Sequence, residues 1–430
     1  MPEFITAVTQ QEKQPPMTVK IRKIKDKEFT ESQNLSKYAF GFWSDDEPQP
    51  NERARYGFDP DEYIAAFVDS TIAAKVRNRP FEQIIRGVMK PMGGIAAVAS
   101  YPKYRRRGLI RQLMLAAFED MRQKGQVVSA LYPFRENFYT QFGYATTNNH
   151  MTAVVETNTL SHYLPLLKQN EGEWTIERHR ARDVQAEWLG FSREMASKYH
   201  GSVYYSKLLA DPYWQRQVKD QHVVFVRENS LPPQRSGGRL VAAARFHIKG
   251  YMETGKIAVR DWHWQTLAAR DRLFGYFATH ADTVPTLKFP MPYGTNFHAW
   301  IRQPTVGIKV EINFVVHMGR VIDVVGALAN LPAPIDGTIV IEVEDEQCRW
   351  NNDTYELVGD NGRLHATRTQ KTASCKADIL TLSSMVYGTL SIAELQHRGW
   401  LTEKSSDFAL ASSLLNNWFP PKLIFNTNTF

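Results

Sequence analysis

Arg105, Arg106 and Arg107 stand directly before Gly108 in the stretch YPKYRRRGLIRQLM. Like charges this crowded need water or an anion beside them. The flanks point to the anion. Upstream lies GIAAVASY, a short apolar run of the kind carried by a strand buried on both faces. Downstream, Leu109, Ile110, Leu113, Met114, Ala117, Phe118 and Met121 recur at helical spacing, and Gly125 supplies a stop. The arginines thus fall at the start of an amphipathic helix. There the first backbone N–H groups lack partners and the helix dipole is positive. A glycine without Cβ lets an anion approach the chain, and guanidinium groups add charge-assisted hydrogen bonds. This is the chemistry of a phosphate or pyrophosphate site. The stretch has neither the GxxxxGK[ST] spacing of a nucleotide-hydrolysing loop nor the GxGxxG of a dinucleotide fold.

The elements that must hold this site come in a readable order. VKIRKI (19–24) alternates as a strand, 27–43 reads as a helix, and 44–63 is a polar, proline-containing loop. Strand-like runs follow up to Tyr101, and after the amphipathic helix comes the strand VVSALYPF (127–134). RENFYTQFGYATTN is a short helix ended near Gly143. The order restarts near 174: the strand WTIERH, a helix, two strands joined at GYMETG, and the helix 265–281. This second pass has no RRRG counterpart. From about 312 the chain reads as strand and helix, then strands with turns at NND and DNG. Helices follow, the last stopped by Pro420 and Pro421.

At 430 residues the chain is long enough for two to four domains. Its hydrophobic content of 43% fits a folded protein, and its net charge of +7 permits an anionic ligand without demanding nucleic acid. No nucleic-acid motif and no run of 18 apolar residues is present, so neither a nucleic acid nor a membrane is expected as partner. Cys348 and Cys375 are too far apart for a CxxC site, which points to a reducing, cytoplasmic setting. The twelve histidines show no metal-ligand spacing, and His263 in DWHW reads as structural. Residues 1–16 read as a disordered tail or an expression remnant, with Met17 as an alternative start to Met1.

RRRGLI after VAS resembles the acetyl-CoA loop of the GNAT acyltransferases, Arg/Gln-x-x-Gly-x-Gly/Ala. Arg105 and Gly108 match, and Ile110 stands at the final Gly/Ala. Together with FYTQFGY and the terminal TNTF, the stretch GGIAAVASYPKYRRRGLIRQLM resembles the enhanced intracellular survival (Eis) acetyltransferases, over nearly the whole chain from about residue 17. The resemblance implies an α+β chain with two tandem GNAT-like domains, the second degenerate, followed by a sterol-carrier-like α/β domain. The corresponding division is 17–163, 164–309 and 310–430. It also implies direct acetyl transfer from acetyl-CoA to a primary amine in a ternary complex, without a metal, in a homo-hexamer.

Carried onto this sequence, the resemblance places the pantetheine arm on the backbone of Val98 and Ser100. It places the pyrophosphate on Arg105, Arg106, Gly108, Leu109 and Ile110. Tyr139 becomes the general acid for the departing thiolate, with Tyr144 as its rival. The C-terminal carboxylate, on Phe430, becomes the base. An α-carboxyl group ionises at about pH 3.5, far below an alkylammonium, so unless burial raises its pKa it would position the ammonium and take its proton through water. Asp45, Asp46 and Glu47 after the first helix would attract a cationic acceptor, and Arg135 and Glu136 would rim the pocket. Aminoglycosides, polyamines and lysine side chains are the candidate acceptors. Thr429 stands where an acidic residue is expected in the members acting on aminoglycosides. The rival reading is a lipid- or sterol-binding protein with a vestigial acyltransferase domain, against which the intact RRRG speaks.

Overall fold

The computed structural model describes residues 18–41, 58–147, 151–169, 172–205, 218–229, 238–301, 308–312 and 317–426. The tail at 1–16 lies outside them. Three sheets organise the chain. Its first strands are β1 (Val19–Lys23), β2 (Tyr63–Val68), β3 (Thr71–Ile85), β4 (Val88–Ser100), β5 (Val128–Leu131), β6 (Ala145–Thr146) and β7 (Met151–Glu156). Then come β8 (Trp174–Arg180), β9 (Val203–Tyr204), β10 (His222–Glu228), β11 (Arg239–Lys249), β12 (Lys256–Trp264), β13 (Thr286–Met291), β14 (Lys309–Ile312) and β15 (Met318–Val321). The last are β16 (Gly337–Glu344), β17 (Asp353–Asp360), β18 (Arg363–Arg368), β19 (Cys375–Asp378) and β20 (Leu401–Glu403).

The first sheet has the order β1-β2-β3-β4-β5-β15-β6, with β9 on β3. The second has the order β14-β7-β13-β12-β11-β10-β8. Both are built alike. Four strands run antiparallel, and the fourth then meets the fifth in parallel: β4 with β5, and β12 with β13. In each sheet the next strand comes from the far side of a domain border. β7 leaves the first sheet's neighbourhood to lie between β13 and β14, and β15 returns to lie between β5 and β6. A division drawn along the chain at 163/164 and 309/310 assigns β7 to the first segment and β15 to the third. Hydrogen bonding puts them in the second and first sheets. A strand's alternation reports which face is buried and not which strand lies beside it.

The third sheet, β18-β17-β16-β19-β20, packs the helices Ile379–Tyr387 and Phe408–Trp418. Its core is continuous with one face of the first sheet: Phe81, Ile85, Met92, Val128 and Ala130 join Ile341, Leu382, Met385 and Trp418 in one cluster. The β3–β4 hairpin adds polar anchors. Arg86, at its turn, donates to Met385 O (2.7 Å), Val386 O (3.1 Å) and Pro420 O (2.9 Å). Lys90 Nζ donates to Gly326 O (2.8 Å) and Ala329 O (2.5 Å). Both cations meet the C-terminal carbonyls of a helix, where the dipole is negative. No helix among the described residues is long and apolar enough to cross a membrane.

Candidate active site at the split of the first sheet

β4 is bent where it matters. Lys75 pairs with Ala99 and Arg77 with Ala96, so Ala97 and Val98 together face Val76. Ala97 takes a positive φ of 50°. Such a bulge ends regular pairing and re-aims the strand. On the other edge, the parallel ladder to β5 stops at Ile95 and Leu131, while β4 runs on to Ser100. The two strands therefore part, and Val98 and Ser100 stand on the stretch of β4 that has lost its neighbour.

From Ser100 the chain makes a short turn at Pro102–Tyr104, and Gly108 (φ 74°) delivers it into helix α1 (Leu109–Gln123). This helix buries Leu109, Leu113, Met114, Ala117, Phe118 and Met121 against the sheet, the stripe expected from its spacing except for Ile110, which is half-buried. Its N-terminus has no side-chain cap and no acidic residue in the first turn. Gln112 N–H makes the first intrahelical bond, to Gly108 O (3.1 Å), which leaves the N–H groups of Leu109, Ile110 and Arg111 to an outside acceptor. Arg105, Arg106 and Arg107 are exposed above them, and Arg105 Nη2 reaches back to Ser100 O (3.4 Å). The second sheet closes the equivalent turn. There Thr266 Oγ1 accepts from Ala269 N–H (3.2 Å) and caps the helix Leu267–Ala278 itself.

FYTQFGY lies beyond β5. Its helix, Glu136–Thr140, presents Tyr139, a ring buried against Phe134 (5.8 Å), Phe138 (5.0 Å) and Tyr144 (6.1 Å between centroids). No described residue hydrogen-bonds its hydroxyl. Burial pushes its pKa up to about 12, so the phenol keeps its proton at neutral pH. Tyr144 differs. It is fully buried and donates to Ser129 Oγ (2.7 Å), which donates in turn to Gly93 O (2.8 Å). The proton of Tyr144 is committed and that of Tyr139 is not.

Arg320 on β15 holds this segment from below. Its guanidinium bonds Phe142 O and the Asp345 carboxylate, and lies 4.4 Å from the Phe118 ring. Neither residue stood out in the sequence; the available signal was an arginine inside the otherwise apolar strand MGRV, whose every residue is buried. Cys348 and Cys375 are buried, and burial pushes both thiols up to about 12, so neither presents a thiolate. Of the expected rim residues, Arg135 is exposed and Glu136 accepts from Thr146 Oγ1 (3.0 Å). His263 is buried in the second domain, 3.3 Å from Asp261. Asp45, Asp46, Glu47, Thr429 and Phe430 lie outside the described residues. Among the described residues no group of three or more His, Cys, Asp or Glu is placed to hold a metal.

Residues 20–147 match the family model of the acetyltransferase (GNAT) domain, and residues 324–421 that of the sterol carrier protein domain. An uncharacterized N-acetyltransferase of Streptomyces avermitilis is 24% identical over 363 residues, 78% of this chain and 82% of the relative. Another, from Streptomyces coelicolor, is 23% identical over 329 residues, 74% of this chain and 76% of the relative. A probable N-acyltransferase from Enterococcus faecalis superposes with a TM-score of 0.79 at 22% identity. Eis1 from Mycobacterium abscessus superposes with a TM-score of 0.72 at 17% identity. Each alignment covers 96% of this chain and all of the solved one, so the three-part fold is shared from end to end.

Proposed function

We propose that this chain, a GNAT-type acyltransferase ending in a sterol-carrier-like domain, transfers an acetyl group from acetyl-CoA to a primary amine in a ternary complex. The observation that carries the reading is the uncapped N-terminus of α1, under Arg105 and Arg106, at the end of the bulged strand where β5 has parted from β4. Backbone N–H groups and guanidinium groups at one point suit a pyrophosphate. The exposed edge of β4 at Val98 and Ser100 offers peptide groups to the amides of a pantetheine arm. The amine attacks the thioester carbonyl; the C–N bond forms as the C–S bond breaks. Tyr139 gives its proton to the departing thiolate, a role supported by its uncommitted hydroxyl. With both thiols buried and protonated, direct transfer is favoured over an acyl-enzyme.

The proton of the attacking ammonium is assigned, on the resemblance, to the carboxylate of Phe430 through water. Appending residues after Phe430 would then abolish turnover and spare acetyl-CoA binding; an active extended chain would overturn that assignment. The acceptor is an aminoglycoside, a polyamine or a lysine-like amine, with Thr429 favouring the latter two. The cytoplasmic setting and the homo-hexamer belong to the same reading, and light scattering in solution tests the hexamer. Lipid carriage is disfavoured, because the apolar residues of the third sheet are buried in one core with that domain's helices and with Phe81, Ile85 and Met92 of the first domain.

The test is a titration with acetyl-CoA followed by a consumption screen over aminoglycosides, polyamines, lysine-bearing peptides and arylalkylamines. Arg105→Ala and Arg106→Ala should each weaken acetyl-CoA binding about ten- to a hundredfold, the worth of a charge-assisted contact. Unchanged affinity in the folded double variant would remove the pyrophosphate assignment.

A further inference from the structure

The turn Tyr199–Tyr204 of the second domain meets the last described residues of the chain at a point that no step above uses. One side of the turn is fastened to the first sheet: Gly201 N–H donates to Ile84 O (2.7 Å) and Ile84 N–H to Ser202 O (2.9 Å), and β9 pairs with β3 at Gln83 and Glu82. The other side holds the C-terminal segment. Phe425 N–H donates to His200 O (3.1 Å), Ser202 Oγ to Phe425 O (3.1 Å), and Val203 N–H to Asn426 Oδ1 (3.2 Å). Gly201 has φ 81°, and a Cβ there would lie 2.4 Å from Ile424 Cγ2, so glycine is what lets the turn and the segment come this close. Asn426 is buried, and its Nδ2 donates to Tyr132 Oη (3.1 Å). Tyr132 directly follows β5, at the end that has parted from β4.

We infer that Asn426 is a positioning residue for acetyl transfer: it fastens the C-terminal segment to Tyr132 at the open end of the split, with the second domain's turn as its anchor. The inference rests on the reading that transfer occurs at this split with Tyr139 as acid. An amide fits the place. Its oxygen accepts from Val203 and its nitrogen donates to the phenol, a division of roles that a carboxylate cannot make. The second domain, whose own phosphate turn is closed by Thr266, thereby serves the reaction of the first.

Steady-state kinetics on the full-length chain, with an amine found in the screen, test this. Asn426→Ala and Tyr132→Phe should each lower kcat about three- to tenfold, the effect of one neutral hydrogen bond, and leave acetyl-CoA affinity unchanged. The double variant should be no slower than the worse single one, because both remove the same link. Asn426→Leu, which keeps the volume, should match Asn426→Ala. Tyr132→Phe deletes one oxygen and preserves the test should Asn426→Ala fail to fold. An unchanged kcat in either single variant, or losses that multiply in the double one, would overturn the inference. A Tyr139→Phe variant with full activity would instead sink the reading of the site on which it rests.

Discussion

Arg320 Nη2 lies 2.9 and 2.8 Å from the two carboxylate oxygens of Asp345, and both side chains are wholly buried. Arg320 sits on the strand returned to the first sheet, and Asp345 directly follows β16 of the third. The same guanidinium bonds Phe142 O, three residues after Tyr139. One ion pair therefore ties the segment that carries the candidate acid to the sterol-carrier-like domain.

Breaking that pair should be costly, because it leaves a buried charge alone. Asp345→Ala or Arg320→Met should destabilise the chain by about 3–5 kcal/mol, read as a fall in denaturation midpoint. Replacing both, as Arg320→Met with Asp345→Leu, should cost less than either single change. A double variant weaker than both singles would show that the pair is not the unit.

The two tyrosines should separate cleanly. Tyr139→Phe should lower kcat by about 10²–10⁴-fold at nearly unchanged acetyl-CoA affinity, because the proposed role of its hydroxyl is to protonate the thiolate as it leaves. Tyr144→Phe removes a buried donor from Ser129 and should show in stability by about 1–3 kcal/mol, with kcat largely kept. The opposite pattern would identify Tyr144 as the acid.

One acetyl-CoA should bind per chain. The start of α1 has no side-chain cap, whereas Thr266 caps the corresponding helix in the second domain by accepting from Ala269 N–H, and no arginine cluster precedes it. Calorimetry giving two sites per chain would contradict this.

Acid should destabilise the protein before any carboxylate is protonated. His200 is buried and neutral: its Nδ1 accepts from Arg86 N–H (2.9 Å) and its Nε2 donates to Tyr387 O (3.0 Å). Burial lowers its pKa from 6.5 to about 3, and burial lowers that of His317 to about 4. Both folded values lie below the unfolded one, so the stability these groups contribute is present above pH 6.5. It is lost as pH falls through that value toward 4 and below. Denaturation midpoints measured between about pH 7.5 and pH 5 should fall, and fall less steeply in His200→Gln. Parallel curves for the two proteins would rule His200 out as a source.

Much of the site was legible in the residues because its chemistry is local. Three arginines, a glycine and a 3.6-residue apolar stripe occupy consecutive positions, and backbone geometry places the arginines at an uncapped helix start, the candidate anion site. The second pass of the element order was legible for the same reason, since a strand or helix declares itself by its own period. What tertiary structure decided is everything that depends on which segments meet. The exchange of β7 and β15, the burial of Arg320 on Asp345 and the bridge from Val203 through Asn426 to Tyr132 join residues 25 to 294 positions apart. The bulge at Ala97 and the parting of β4 from β5 are likewise set by register between strands. A side chain's type states what it can bond, and only packing states what is within 3 Å of it, because hydrogen bonds and ion pairs act at contact distance while the chain between partners carries no trace of the meeting.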